Sequence, residues 1–129
     1  MRPSFLRRVA LVLSLAMVAM PTSQAAPTTS KGQISVAQVL EMVDLARSDP
    51  AARMTVIAYL AGVGETAGIL LSEGQQRGAT PMACARSFTL DESVAAAALR
   101  AAAPDQARWI ETPATPIVIA DLFARAGCR

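Results

Sequence analysis

The sequence predicts an all-α fold, a small bundle of about four helices closed by one disulfide. Three observations carry that prediction. Apolar residues recur at helical spacing, cap-forming residues stand at the heads of the apolar segments, and the only two cysteines, Cys84 and Cys128, lie just outside two segment ends.

Residues 1–25 read as a signal peptide, separate from the bundle. Arg2, Arg7 and Arg8 precede the 12-residue apolar run VALVLSLAMVAM, and PTSQAA closes it with small and polar residues. Cleavage after Ala25 puts Ser23 and Ala25 at the two small-residue positions; a cut after Ala26 would place Gln24 and Pro27 unfavourably. The apolar run is too short for an uncleaved anchor, and no cysteine follows it to carry a lipid. The expected product is a periplasmic domain of residues 26–129, with a flexible lead-in over 26–34 and a helical domain over 35–129.

Charge and composition exclude several classes. Three of the 12 basic residues leave with the signal, so 9 basic side chains face 10 acidic ones and the domain is nearly neutral. Lys31 is its sole lysine and aromatic residues make up 4% of the chain, so neither the basic footprint nor the stacking platform of a nucleic-acid binder is present. The longest uncharged stretch after residue 30, MTVIAYLAGVG, has 11 residues, and no membrane span is expected after signal cleavage. About 100 residues can bury one core, a marginal one that a covalent staple would help.

The first helix is expected from Val36 to near Ser48. Ser35 and Gln38 have the spacing of a capping box, Ile34 and Val39 that of a hydrophobic staple, and Val36, Val39, Leu40 and Val43 make one buried face. Asp49-Pro50 then pairs a cap with a proline at the first helical position, which predicts a second helix over about 50–72. Its internal glycines cost about 1 kcal/mol each against alanine. That cost points to another helix approaching the face formed by Ala58, Ala61, Gly62 and Glu65, or else to a kink near Gly64. Residues 72–88 have no helical period and read as a long loop. Thr89 and Glu92 repeat the capping-box spacing, so a third, alanine-rich helix is expected to end before Pro104. Residues 104–116 read as a turn or short helical connection. The last helix begins at Pro113 or Pro116 and ends at Gly127, the left-handed cap; its β-branched Ile117, Val118 and Ile119 also admit a strand.

A short connection makes the third and fourth helices antiparallel neighbours, which brings the start of one beside the end of the other. Cys84 and Cys128 flank those two ends, so in an exported chain they are expected to form a disulfide. Catalytic groups are scarce. The chain has no histidine, the usual base of nucleophilic sites and the commonest metal ligand, and Lys31 lies in the lead-in. Asp91-Glu92 stands at a helix start, where a carboxylate more often caps than transfers protons. Gly62-Val63-Gly64 lies inside a predicted helix with no strand before it, so it is no phosphate loop. Neither an enzyme nor a cofactor or metal is expected.

The order of features resembles the Rap/Tai family of periplasmic immunity proteins, which protect bacteria from peptidoglycan amidase effectors delivered by type VI secretion. The family's Gly-Tyr-x-x-Gly stretch is matched by Ala58-Tyr59-Leu60-Ala61-Gly62, and its cysteine before a Thr-Leu-x-Gln helix start by Cys84 and Thr89-Leu90-Asp91-Glu92. Leu99 and Pro104, Pro113-Ala114, and Ala126-Gly127-Cys128 follow in the family's order. Val43 and Ile57 stand where many members carry further cysteines, and the proline expected soon after Cys84 is absent. The resemblance implies an all-helical, often dimeric protein that obstructs an amidase's active-site cleft with a protruding loop. The 72–88 loop, with Gln75, Gln76 and Arg77 as partner-binding residues, would be that element. The alternative is a small periplasmic stress chaperone resembling the HdeA type in size, export and single disulfide.

Overall fold

Ser35 starts the first helix as its spacing to Gln38 requires. In the computed structural model, which describes residues 28–79 and 82–129, its hydroxyl accepts a hydrogen bond from the Gln38 N–H at 3.1 Å, opening α1 (Val36–Leu45). The expected signal peptide lies outside the described residues. Val36, Val39 and Leu40 are buried as the i, i+3, i+4 pattern predicts. α1 ends before Ser48, because Asp49 turns to extended backbone to begin the next helix.

Asp49 accepts from the Ala51 N–H at 2.8 Å and Pro50 takes the first position of α2 (Pro50–Gln76). The 27 residues run on past the expected end at 72. The buried stripe is Ala52, Val56, Leu60, Val63 and Ala67. The face expected to receive another helix, Ala58, Ala61, Gly62 and Glu65, is exposed, and α2 continues unbroken through Gly64. Both expectations for the glycines are therefore corrected. Burial goes to the larger side chains on the opposite face, where Val56, Leu60 and Val63 remove more apolar area from water than alanine or glycine can. A methyl group added at Gly62 or Gly64 would meet nothing within 4 Å. Gly62→Ala should accordingly raise stability by about 1 kcal/mol in denaturant unfolding, since helix propensity is gained and no contact is lost.

By length and composition α2 is also long and apolar enough to cross a membrane, a feature that the 11-residue uncharged count does not anticipate. Its buried stripe covers only 22% of that apolar window, and Met54, Ile57, Ile69 and Leu70 are exposed.

α3 (Glu92–Ala102) is capped by Asp91, two residues later than the expected Thr89. The Asp91 carboxylate accepts from the Val94 N–H at 2.9 Å and from the Ser93 hydroxyl at 2.7 Å, so it satisfies the helix start that the Thr89–Glu92 spacing only mimics. Ala95, Ala96 and Leu99 are buried, and the helix ends before Pro104. A 3-10 turn at Gln106–Arg108 follows, and the Trp109 indole N–H donates to the Ala103 carbonyl at 2.6 Å. α4 (Ala114–Ala126) starts behind Pro113, which decides between the two prolines, and the Ile117–Ile119 run is helical. Gly127, at φ +66°, is the expected left-handed cap.

The four helices form an all-α bundle with no strand among the described residues. α1 packs on α2 and α3, and α4 packs on α3 and α2. Leu99, Leu122, Val36, Val56 and Val118 are its largest fully buried apolar side chains, with at least one from every helix. Tyr59 joins α2 to α4 through a 3.0 Å hydrogen bond between its hydroxyl and that of Thr115; burial is the main reason its pKa is raised.

The lead-in, expected to be flexible, is structured from Thr28 on. Thr29 is buried, Ser30 binds the Glu111 carboxylate through its hydroxyl at 2.8 Å and its N–H at 3.1 Å, and Ser35 bridges to Pro113. The Val36 N–H donates to the Thr112 carbonyl, and the Ala114 N–H to that of Ile34. These bonds clamp the entry to α1 against the entry to α4.

Candidate functional site

The far end of α2 is where the helix outruns its core. Val56, Val63 and Leu70 fall at seven-residue intervals and so share one face. Val56 is 2% exposed, Val63 9% and Leu70 65%. The last buried residue is Ala67, and at 1.5 Å per residue the nine that follow carry the helix on by about 13 Å. Ile69, 60% exposed, adds a second apolar side chain to this extension.

The expected 72–88 loop is thereby corrected at its near end. Ser72 to Gln76 are helical, because Gly74 is accommodated within the helix and the chain turns only at Gly78, at φ +64°. The connecting segment is residues 77–91. The three residues expected to bind a partner sit together at this turn, and each has an internal hydrogen bond. The Gln75 amide donates across the turn to the Met82 carbonyl. The Gln76 amide reaches the Ser72 hydroxyl at 3.3 Å, and the Arg77 guanidinium pairs with Glu73 at 2.8 Å. Gln75 is thus a brace of the tip, while Gln76 and Arg77 lie on its exposed surface.

Behind the tip the segment is fastened to the end of α4. Cys84 and Cys128 form the expected disulfide. Around it the N–H of Ala83 donates to the Arg129 carbonyl at 2.9 Å, that of Arg129 returns to Ala83 at 3.0 Å, and that of Arg86 donates to Ala126 at 3.0 Å. Phe88 then packs on Phe123, ring centroids 5.6 Å apart, and lies over Gly68, where an added methyl would sit 3.8 Å from its ring. Gly68 is thus the α2 glycine with a neighbour, at a distance that an alanine methyl would fill as an ordinary contact.

A second feature is an open cleft of about 690 Å³ lined by Arg47, Arg53 and Arg100 together with Asp91 and Glu92. Arg53 lies 3.8 Å from Glu92, and Arg47 and Arg100 both approach Asp44, at 3.6 and 3.8 Å. No signal in the sequence announces this cluster, because its members come from three helices. The guanidiniums and carboxylates offset one another, so the cleft has no strong preference for either sign of ligand. Among the described residues no group of His, Cys, Asp and Glu could hold a metal ion.

Asp91 serves as a cap, in keeping with the structural reading of the Asp91-Glu92 pair. Hydrogen bonds from the Ser93 hydroxyl and the Val94 N–H hold its carboxyl below the ordinary value of 3.8. A carboxyl with a lowered folded pKa contributes stability above its unfolded pKa, and that contribution is lost as the pH falls through the folded value. Asp91→Ala is therefore expected to cost about 1 kcal/mol at pH 7, with the gap to the parent protein closing in strong acid. Parallel melting curves from pH 7 down to pH 2 would check it.

No protein-family model, curated protein or solved structure matches the chain. The functional reading therefore rests on the arrangement of residues just described and on the motif spacing.

Proposed function

We propose that this protein is a periplasmic immunity-type binding protein that neutralises a peptidoglycan amidase effector by stoichiometric occlusion, with the end of α2 and the turn after it entering the enzyme's cleft. One observation carries the reading. α2 extends about 13 Å past its last buried residue, and its end is braced by the Gln75–Met82 bond and the Cys84–Cys128 disulfide. A segment stiffened without contributing to the core is suited to insertion, because little freedom remains to be lost on binding. A disulfide that persists also fits an oxidising compartment such as the periplasm.

The test is a pull-down of disulfide-intact protein from periplasmic and secreted fractions, followed by a titration. The expected result is one cell-wall hydrolase retained at a 1:1 ratio, its activity on peptidoglycan abolished at equivalence. Replacing Gln76 and Arg77 together by alanine should weaken capture while leaving the melting temperature within a few degrees. Absence of any hydrolase, or undiminished capture by the double variant, would overturn the assignment.

The chaperone reading keeps one observation in its favour, the exposed Met54, Ile57, Ile69 and Leu70 of α2. It predicts many clients in acid and none at neutral pH, in the same pull-down. With no histidine, a trigger near pH 6 has no group of suitable ordinary pKa.

A further inference from the structure

We propose that the Cys84–Cys128 bond is a redox latch that assembles the α2 tip for partner binding in an oxidising compartment and releases it under reduction. The regulatory meaning rests on the binding role proposed above for the tip. The mechanical part stands on the geometry alone.

The latch is local. Neither cysteine belongs to the buried core, and both are half-buried at the edge of the bundle. What the bond holds in place is the strip around Cys84, which otherwise meets the end of α4 through the Ala83–Arg129 pair and the Arg86-to-Ala126 bond. Exposed backbone hydrogen bonds of this kind open readily once a covalent tie is gone. The strip has natural limits on both sides. Gly78, at φ +64°, marks the turn where the helix stops, and Phe88, packed on Phe123 and Gly68, anchors the chain again before α3. Release therefore frees the stretch from Met82 to Ser87 and removes the support for the Gln75–Met82 brace, while α1, α3 and α4 keep their shared core.

The chemistry is thiol–disulfide exchange. The thiolate of a dithiol reductant attacks one sulfur, forming a mixed disulfide and expelling the other cysteine as a thiolate. The reductant's second thiol then displaces the first cysteine. The reductant gives up two electrons and leaves as its own disulfide, and both cysteines end as thiols.

The experiment needs no partner, so its outcome is separate from the hydrolase capture. The signal-free protein, oxidised or treated with dithiothreitol, is digested briefly with trypsin while helicity is followed by circular dichroism. Cleavage after Arg86 is expected to rise at least roughly tenfold on reduction, because it tracks the population of the open strip. Cleavage after Arg53, Arg100 and Arg125, within helices, should stay far slower than that after Arg86, because it requires opening of the bundle, and most of the helical signal should persist. The Cys84→Ser/Cys128→Ser variant should match the reduced protein without any reductant present. Unchanged cleavage after Arg86 would show that the disulfide holds nothing, and a joint loss of all helical signal would show a global staple; either result overturns the latch.

Discussion

Leu99→Ala is expected to lower the unfolding free energy by about 2–5 kcal/mol, the range for emptying a buried leucine site. Leu99 is fully buried and is the one large side chain among the three buried in α3, the others being Ala95 and Ala96. Alanines on either side cannot swing into the space, so the cavity should stay open and the cost should lie in the upper part of the range. In a domain of about 100 residues each kcal/mol moves the melting temperature by roughly 4–8 °C, so the variant should melt at least 10 °C lower. Met54→Ala, at a site 65% exposed, provides the control and should change stability by less than about 0.5 kcal/mol. Denaturant unfolding of both variants decides the matter. A loss under about 1 kcal/mol at Leu99 would mean that the core is not centred where α3 meets α1 and α4.

Permanent removal of the disulfide should have a comparable effect on global stability. Cys84 and Cys128 are 44 residues apart, and closing such a loop restricts the unfolded chain by about 4 kcal/mol in the chain-entropy model. The observed loss should be smaller, because the stretch from Met82 to Ser87 also gains freedom in the folded protein when the bond is absent. A fall of roughly 2–4 kcal/mol in the Cys84→Ser/Cys128→Ser variant, read from its denaturation midpoint, is the expected result. That leaves a protein still folded at 25 °C if its starting stability is in the ordinary range of about 5–15 kcal/mol. No loss at all would show that the denatured chain gains no freedom when the tie is removed.

Most of the architecture was legible in the sequence because it depends on local rules. Ser35, Asp49 and Gly127 each act at the position that their cap chemistry requires, and the pairing of Cys84 with Cys128 followed from the adjacency of antiparallel helices. Where reading the sequence failed, two local signals competed. Thr89 and Asp91 both offer a cap, and the spacing of Thr89 to Glu92 points to the wrong one. The small residues of α2 invited a packing partner, but their burial depends on which face the rest of the bundle covers, and that is not a local property. The end of α2 was placed at 72 for a similar reason. Serine, glycine and glutamine weaken a helix without stopping it, and only the turn at Gly78 does that.

Of the candidate site, the three residues Gln75, Gln76 and Arg77 proved to be neighbours at one tip, although Gln75 is occupied in bracing it. The brace itself was invisible beforehand, since it joins an amide to a carbonyl seven residues away across a turn. The arginine cleft between α1, α2 and α3 was equally hidden, its charges being spread from Asp44 to Arg100.

The clamp between the two helix entries bears on how the chain reaches this shape. Helices form within microseconds from neighbouring residues, whereas the clamp joins Ser30 to Glu111 across 81 positions and must wait for a much larger loop to close. In the order of folding it belongs among the late events, after α3 and α4 have paired. A weakened clamp, such as Ser30→Ala, would then speed unfolding and leave the folding rate nearly untouched. The region that closes last on the way in should then open early on the way out, and a comparison of folding and unfolding rates of Ser30→Ala with the parent protein would check this at the end of the molecule where α1 and α4 begin.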